Sequence, residues 1–214
     1  MDKSSRNPIF ALIDCNNFFV SCERLFNPAL RQKPVVVLSN NDGCIISRSQ
    51  EAKDLGIPMG APLFKFKQLI EENGVAVFSS NYQLYGDISQ RIMQSLRVLV
   101  PDIEVYSIDE AFLRLDKLGG IADIVEYATA ICSKVERWIG IPLSIGIGTN
   151  KTLAKLANHM AKKENKKVYD LRDKGLQEVV LSDLPVTKIW GVGHSVIAKI
   201  KGTRELREKG TSKK

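Results

Sequence analysis

The sequence predicts an α+β chain, and three observations carry that expectation. Ile9-Phe10-Ala11-Leu12-Ile13 is a continuous apolar run, the pattern of a strand buried on both faces, and it ends at Asp14. Two long segments keep one face apolar at helical spacing. The first carries Leu84, Ile88, Ile92, Leu96 and Leu99, and the second carries Ile121, Ile124, Val125, Ala128, Ile131, Val135, Trp138 and Ile139. Between them, Ile103, Val105 and Ile108 on one side and Ala111, Leu113 and Leu115 on the other read as two short strands about a turn. With residues 27–80 set aside, the order is strand, helix, strand, strand, helix, strand. That is the ferredoxin-like βαββαβ arrangement.

Each element has local support. After the first strand, Asn16 or Asn17 caps a short helix carrying Phe18, Phe19, Cys22 and Phe26. Asn81 caps the first long helix and Pro101 ends it, while the second runs to Gly140. Leu143 to Gly148 is the last strand of the set. Thr149 or Asn150 then caps a helix with Leu153, Leu156, Ala157 and Met160 inside and Lys151, Lys155, Lys162 and Lys163 outside.

The excised block has elements of its own. An apolar run from Pro34 to Leu38 is followed by an Asn41-Asp42-Gly43 turn into Cys44-Ile45-Ile46, then two short helices stopped by Gly56 and Gly74, then a strand from Val75 to Phe78. It reads as a small inserted α/β unit. Near the end, residues 184–194 read as a helix and a Gly191-Val192-Gly193 turn, with a second helix through Ile197 and Ile200. Residues 202–214 are charged, nearly free of apolar side chains, and predicted to be disordered.

Composition excludes several classes. In 214 residues, 44% hydrophobic and 26% charged is ordinary for a globular protein. No apolar run approaches the roughly 20 residues of a membrane span. Residues 1–8 are polar and lead straight into a strand, so no signal peptide is expected and the cytoplasm is the expected compartment. The four cysteines include no Cys-x-x-Cys and the two histidines form no cluster, so neither a disulfide frame nor a zinc site is expected. A net charge of +7 favours a polyanionic partner, although surface charge bears first on solubility.

The chemistry centres on Tyr106-Ser107-Ile108-Asp109-Glu110-Ala111-Phe112. Two carboxylates about 4 Å apart repel by roughly 4 kcal/mol at an effective dielectric of about 20, so such a pair usually has a cationic partner. The heptapeptide alone fits a plain polar turn equally well. Topology adds the third acid. In the ferredoxin-like sheet the first and third strands are antiparallel neighbours, which brings Asp14 beside Asp109 and Glu110. Hard oxygen ligands without His or Cys side chains suit magnesium or manganese. Two such ions roughly 4 Å apart can activate a 3′-hydroxyl and stabilise a leaving pyrophosphate. Lys53 and Lys155 would supply positive charge for a triphosphate; the ordinary reading of each is a solvated surface lysine.

Five segments carry a resemblance: Asp14-Cys15-Asn16-Asn17-Phe18-Phe19, Ser39-Asn40-Asn41-Asp42-Gly43-Cys44, Ser79-Ser80-Asn81-Tyr82, Tyr106 to Phe112, and Lys151-Thr152-Leu153-Ala154-Lys155-Leu156-Ala157-Asn158. In these, and over about residues 8–201, the chain resembles the Y-family translesion DNA polymerases of the UmuC type.

The resemblance implies a palm over residues 1–26 and 81–170, fingers over 27–80 and a partial thumb with a helix-hairpin-helix-like element over 171–201, followed by the tail at 202–214. It implies error-prone, SOS-type, template-directed transfer from a deoxynucleoside triphosphate, assisted by two magnesium ions, with manganese as a possible substitute.

Asp14, Asp109 and Glu110 would be the catalytic, metal-binding carboxylates, with the Cys15 carbonyl a further ligand. Phe19 matches the gate that excludes a ribose 2′-hydroxyl, with Phe18 beside it; for both, plain core packing is the other reading. Lys155 matches a triphosphate-binding lysine. Lys53 stands where many members carry arginine and Gln50 where many carry tyrosine, with Arg48 a candidate substitute. Gly191, Gly193 and His194 fall where thumb amides hold a DNA phosphate.

Implied partners are primer–template DNA, UmuD-type accessory subunits, a recombinase filament and a sliding clamp, and no membrane. The family continues through the thumb into a little-finger domain. This chain therefore reads as C-terminally truncated, with activity expected to be weak or absent. The alternative is a non-catalytic fragment that binds nucleic acid or partner subunits; the apparent thumb hairpin disfavours a nucleotide cyclase.

Overall fold

The structure, a computed structural model, describes residues 8–118 and 121–192, with 196, 197 and 199. The chain opens with β1 (Phe10–Cys15) and α1 (Phe18–Phe26). The inserted unit then supplies β2 (Val35–Leu38), β3 (Ile45–Arg48), α2 (Gln50–Asp54), α3 (Lys67–Glu72) and β4 (Ala76–Phe78). After it come α4 (Tyr82–Leu99), β5 (Ile103–Val105), β6 (Glu110–Arg114), α5 (Ile124–Ile139), β7 (Leu143–Gly148), α6 (Lys151–Lys163), β8 (Val168–Asp170) and α7 (Lys174–Ser182).

The main sheet has the order β5-β6-β1-β7-β8. Its first four strands reproduce the ferredoxin-like order read from the sequence, with β1 antiparallel to both β6 and β7. β8 extends the sheet parallel to β7, an edge strand that the sequence reading did not anticipate. Alternation along β1 divides the core. Ala11 and Ile13 join Ile88, Ile92 and Leu96 of α4 and Ile131 and Val135 of α5, while Leu12 packs with Phe112 and Ala154 of α6 on the other face.

α6 lies unusually close to the sheet, and glycine makes that possible. A Cβ added at Gly146 would sit 1.9 Å from the Asn158 backbone nitrogen, and one at Gly148 would sit 2.6 Å from that of Ala154. The helix answers with small residues, since Ala154, Ala157 and Ala161 are all buried. The buried Asn158 side chain donates through Nδ2 to the Ser144 carbonyl at 2.9 Å and the Leu12 carbonyl at 3.3 Å, locking α6 to both central strands. This seat decides where the α6 lysines fall.

The inserted unit is a three-stranded sheet of order β3-β2-β4, with β2 antiparallel to β3 and parallel to β4. Its central strand faces two cores. Val35 and Val37 join the main core, whereas Val36 and Leu38 pack with Ile45, Ala52, Ile57 and Ile70. The unit is thus seated on the body by continuous apolar packing.

Asn81 and Asn150 cap α4 and α6 as expected, accepting from Leu84 N at 3.1 Å and Leu153 N at 2.8 Å. The end of the chain differs from expectation. Residues 184–190 contain only a single 3₁₀ turn, Val186–Lys188, in place of a helix. Pro185 explains this, because it removes an N–H donor and biases the preceding residue away from helical backbone. The regular helix in this region is α7, capped by Asp173. Gly191 sits in a turn at φ 83°, and Val196, Ile197 and Lys199 are helical. Gly193, His194, Ile200, the polar start at 1–7 and the tail at 202–214 lie outside the described residues.

Cys15, Cys22 and Cys132 are buried free thiols, and burial pushes those of Cys22 and Cys132 up to about 12. Cys44 is half-buried. Among the described residues no helix is long and apolar enough to cross a membrane.

Candidate active site

The three acids converge as topology requires. Asp14 pairs directly with Glu110 in the β1–β6 register, and the Cys15 amide donates to the Asp109 carbonyl at 2.9 Å. The turn is fixed by Ser107, whose hydroxyl donates to Asp109 Oδ1 at 2.7 Å and accepts from the Glu110 amide at 3.0 Å. Tyr106 N closes the hairpin by donating to the Glu110 carbonyl at 3.0 Å. The backbone therefore fixes where these sequence-distant acidic residues stand, and side-chain contacts set where each carboxylate points.

Each acid is turned to its own partner. Lys162 Nζ lies 2.5 Å from Asp14 Oδ1. Lys155 Nζ donates to both Glu110 oxygens, at 2.9 and 2.8 Å, and sits over the rings of Tyr106 and Trp190 at 4.9 and 5.7 Å. Asp14 is only 7% exposed. Burial raises its pKa from 3.8 to about 7; Lys162 opposes the shift, and Asp109 and Glu110 push it further up. The cluster is short of positive charge even with its lysines in place.

The donor set is hard oxygen, the chemistry of magnesium or manganese. Among the described residues no three His, Cys, Asp or Glu side chains stand together as a ready ligand set. The reason is geometric, since the acids face Lys162, Ser107 and Lys155 separately. They fit a divalent cation once those side chains let go. The Cys15 thiol is buried and protonated, its pKa raised well above 9 by burial, so only its carbonyl could serve.

Next to the acids, a polar cavity of about 270 Å³ is lined by Asn16, Asn17, Gln50, Lys53, Ser144 and Lys162, among others. Lys53 donates to Asn17 Oδ1 at 2.6 Å, and its pKa is lowered by burial and then by the Arg48 and Lys162 charges. Three lysines thus line one cleft between α2 and α6: Lys53, Lys162 and Lys166, the last ion-paired with Glu164 at 2.7 Å. A second cavity, of about 280 Å³, runs from Asp14 and Glu110 under Trp190, with Leu153, Leu156 and Leu184 in its walls.

The remaining expected residues divide. Phe19 is half-buried and stacks on Tyr85, with ring centroids 4.6 Å apart and planes at 25°. Tyr85 is itself fixed by a 2.7 Å hydrogen bond from its hydroxyl to Glu23. Phe18 is 3% exposed and belongs to the core. Arg48 donates to the Ile57 carbonyl inside the inserted unit and does not line the cleft. Gly191 lies in its turn, outside the walls of both cavities.

Lys155 is not on an outer solvent face but caged against Glu110, and it is absent from the cleft. Lys162, also read as outward, reaches Asp14 and lines both cavities. A signal for Lys162 existed. It follows Lys155 by seven residues and so shares its stripe of the helix.

Residues 13–159 match the model of the impB/mucB/samB family. The chain is 45% identical to Protein UmuC of Salmonella typhimurium over 211 residues, covering 95% of this chain and 50% of that protein. It is 43% identical to Protein ImpB of Salmonella typhimurium over 196 residues, covering 90% of this chain and 46% of the other. Among solved structures, the insertion ternary complex of Dbh DNA polymerase superposes with a TM-score of 0.80 at 28% identity, covering 91% of this chain and 57% of that one. The chain spans about half the length of the curated relatives it matches. With the β1–β6 acids in register and the family model matched across most of the body, the chain belongs to the impB/mucB/samB family of UmuC-type, Y-family polymerases.

Proposed function

We propose that the chain carries the catalytic palm (residues 1–26 and 81–170), the fingers (27–80) and part of the thumb (171–201) of a template-directed DNA polymerase of the error-prone translesion class. One observation carries the reading. Asp14 stands opposite Glu110 with Asp109 beside them, and the cleft holding Lys53 and Lys162 opens next to this edge.

Asp14, Asp109, Glu110 and the Cys15 carbonyl would hold divalent ions, which supply charge neutralisation and Lewis acidity for phosphoryl transfer. The chain's own groups do the rest. Lys162 lies between Asp14 and the cleft, so its ammonium can pass from carboxylate to triphosphate. Lys53 binds phosphate from the fingers side. Lys155 keeps Glu110 oriented and is assigned to the carboxylate edge. Phe19, backed by Tyr85, presents a fixed ring to the sugar and excludes a 2′-hydroxyl.

The Dbh structure is named as a ternary complex of a DNA polymerase, which supports primer–template DNA and a nucleotide as ligands here. UmuD-type subunits, a recombinase filament and a sliding clamp are the further partners of this reading, in the cytoplasm. A second reading, a non-catalytic fragment, is favoured by one feature: lysines occupy two of the three acids.

Calorimetry separates the two. A deoxynucleoside triphosphate should bind the 214-residue chain only with magnesium, and Asp109→Ala should weaken that binding at least tenfold, about 1.4 kcal/mol. Magnesium-independent binding that survives Asp109→Ala rejects the catalytic reading.

A further inference from the structure

We infer that Asn17 is a positioning residue for the phosphate cleft: its side-chain carbonyl holds the Lys53 ammonium at the cleft wall in place of capping α1. The inference rests on the triphosphate reading of that cleft. Its motive is a local preference that Asn17 forgoes and a backbone conformation, rare outside glycine though best tolerated by asparagine, that it adopts. An Asn at a helix N-cap normally accepts from the amide two or three residues on, as Asn81 and Asn150 do in this chain. Asn17 makes no such bond and adopts φ 47°, ψ 47°, the left-handed region that non-glycine residues seldom occupy. Its Oδ1 instead accepts from Lys53 Nζ at 2.6 Å, across 36 residues of sequence and from the body to the inserted unit. Departures from local rules concentrate where function demands them.

The acceptor's chemistry suits the task. Lys53 lies on a five-residue helix, and its long side chain has several free torsions. Arg48 and Lys162 repel it while Asp54 and Asp14 attract it, so the directed bond to Asn17 sets where among these charges its ammonium rests. A carboxylate in that place would neutralise it. The neutral amide of Asn17 fixes its position and leaves its charge for the ligand. Asn16, one residue earlier, cannot replace it, because its Oδ1 accepts from Ser144 Oγ at 3.0 Å.

The test uses the 214-residue chain with Asn17→Gly, Asn17→Asp and Lys53→Ala, reading magnesium-dependent affinity for a deoxynucleoside triphosphate and its monophosphate, and the melting temperature. Glycine tolerates the left-handed backbone, so Asn17→Gly should melt no lower than the parent. Its triphosphate affinity should still fall about fivefold, roughly 1 kcal/mol, with monophosphate affinity unchanged. Asn17→Asp should also weaken triphosphate binding, by pairing with Lys53. If Lys53→Ala weakens triphosphate binding and Asn17→Gly does not, the inference is overturned while the cleft reading stands. If neither weakens it, the cleft reading itself fails. A fall in melting temperature together with equal losses for both nucleotides assigns Asn17 a structural role and also overturns the inference.

Discussion

The carboxylate wall and the lysine wall of this site are held by different means. The acids stand at strand ends and the turn beside them, where β1–β6 pairing and the hydrogen bond from the Cys15 amide to the Asp109 carbonyl place them through backbone. The lysines stand on helices that reach the site indirectly. α6 brings Lys155 and Lys162 because glycines let it settle on β7, and α2 brings Lys53 because the inserted unit is seated on the body. One wall depends on register, which is all or none. The other depends on how helices are mounted, so it can be moved by graded amounts. Substitutions far from any acid should therefore disturb the lysines first.

The most severe test removes the seat of α6. Gly146→Val forces side-chain atoms into the α6 backbone, where even a Cβ would be 1.9 Å from the Asn158 nitrogen. A loss of about 4 kcal/mol or failure to fold is expected, as overpacking against backbone leaves nothing that can yield. Urea denaturation measures it. A well-folded Gly146→Val chain with unchanged nucleotide binding would mean that the α6 seat is looser than the glycines imply.

A milder change acts on the mounting of α2. Arg24 of α1 donates through Nη2 to Glu51 Oε2 at 2.8 Å and to the Lys33 carbonyl at 2.6 Å, tying α2 and the segment before β2 to the body. Both side chains are about a quarter to a third exposed, at 22% and 33%. Arg24→Ala should cost about 1–2 kcal/mol, since hydrogen bonds to a charged group contribute about 1.5–3 kcal/mol and partial exposure screens this pair. Amide exchange should quicken in α2 and remain slow in β1. Equal quickening in both would show that the insertion and the body unfold as one unit, which removes the contrast between the two walls.

The same contrast explains what the sequence made legible. β1, β6 and their convergence follow from an apolar run, a βαββαβ order and two adjacent acids, because strand topology converts sequence into position with little freedom. Lys162 reads as outward in the sequence because a surface lysine has the same pattern whether it is solvated or crosses to Asp14. The Asn17–Lys53 bond spans 36 residues, and no local pattern encodes it. β8 and α7 escaped because Val168–Asp170 is too short for a period, and α7 leaves Leu176, Val179 and Leu181 exposed, which blurs its apolar face. Pro185 was the missed warning against a helix at residues 184–190.

The smallest expected effect separates stability from function at the carboxylate wall. Burial lifts the Asp14 pKa from 3.8 to about 7. Between those values the folded chain keeps a proton that the unfolded chain releases. Asp14 therefore contributes stability that is fully present below the unfolded value and is lost as the pH rises through about 7. Asp14→Asn stays neutral throughout, so it should melt higher than the parent at pH 8 by ~3 °C, on the order of 1 kcal/mol, with the difference shrinking toward pH 5. Lys162 loses its partner in this variant, but its side chain is 39% exposed and can return to water at little cost. Magnesium-dependent nucleotide binding should be lost in the same variant, a gain in stability coupled to a loss of function. Thermal melts at the two pH values, run beside calorimetry, decide the matter. If Asp14→Asn melts lower at pH 8, the Lys162 ion pair outweighs the desolvation of the carboxylate, and the acids are then a stabilising part of the fold.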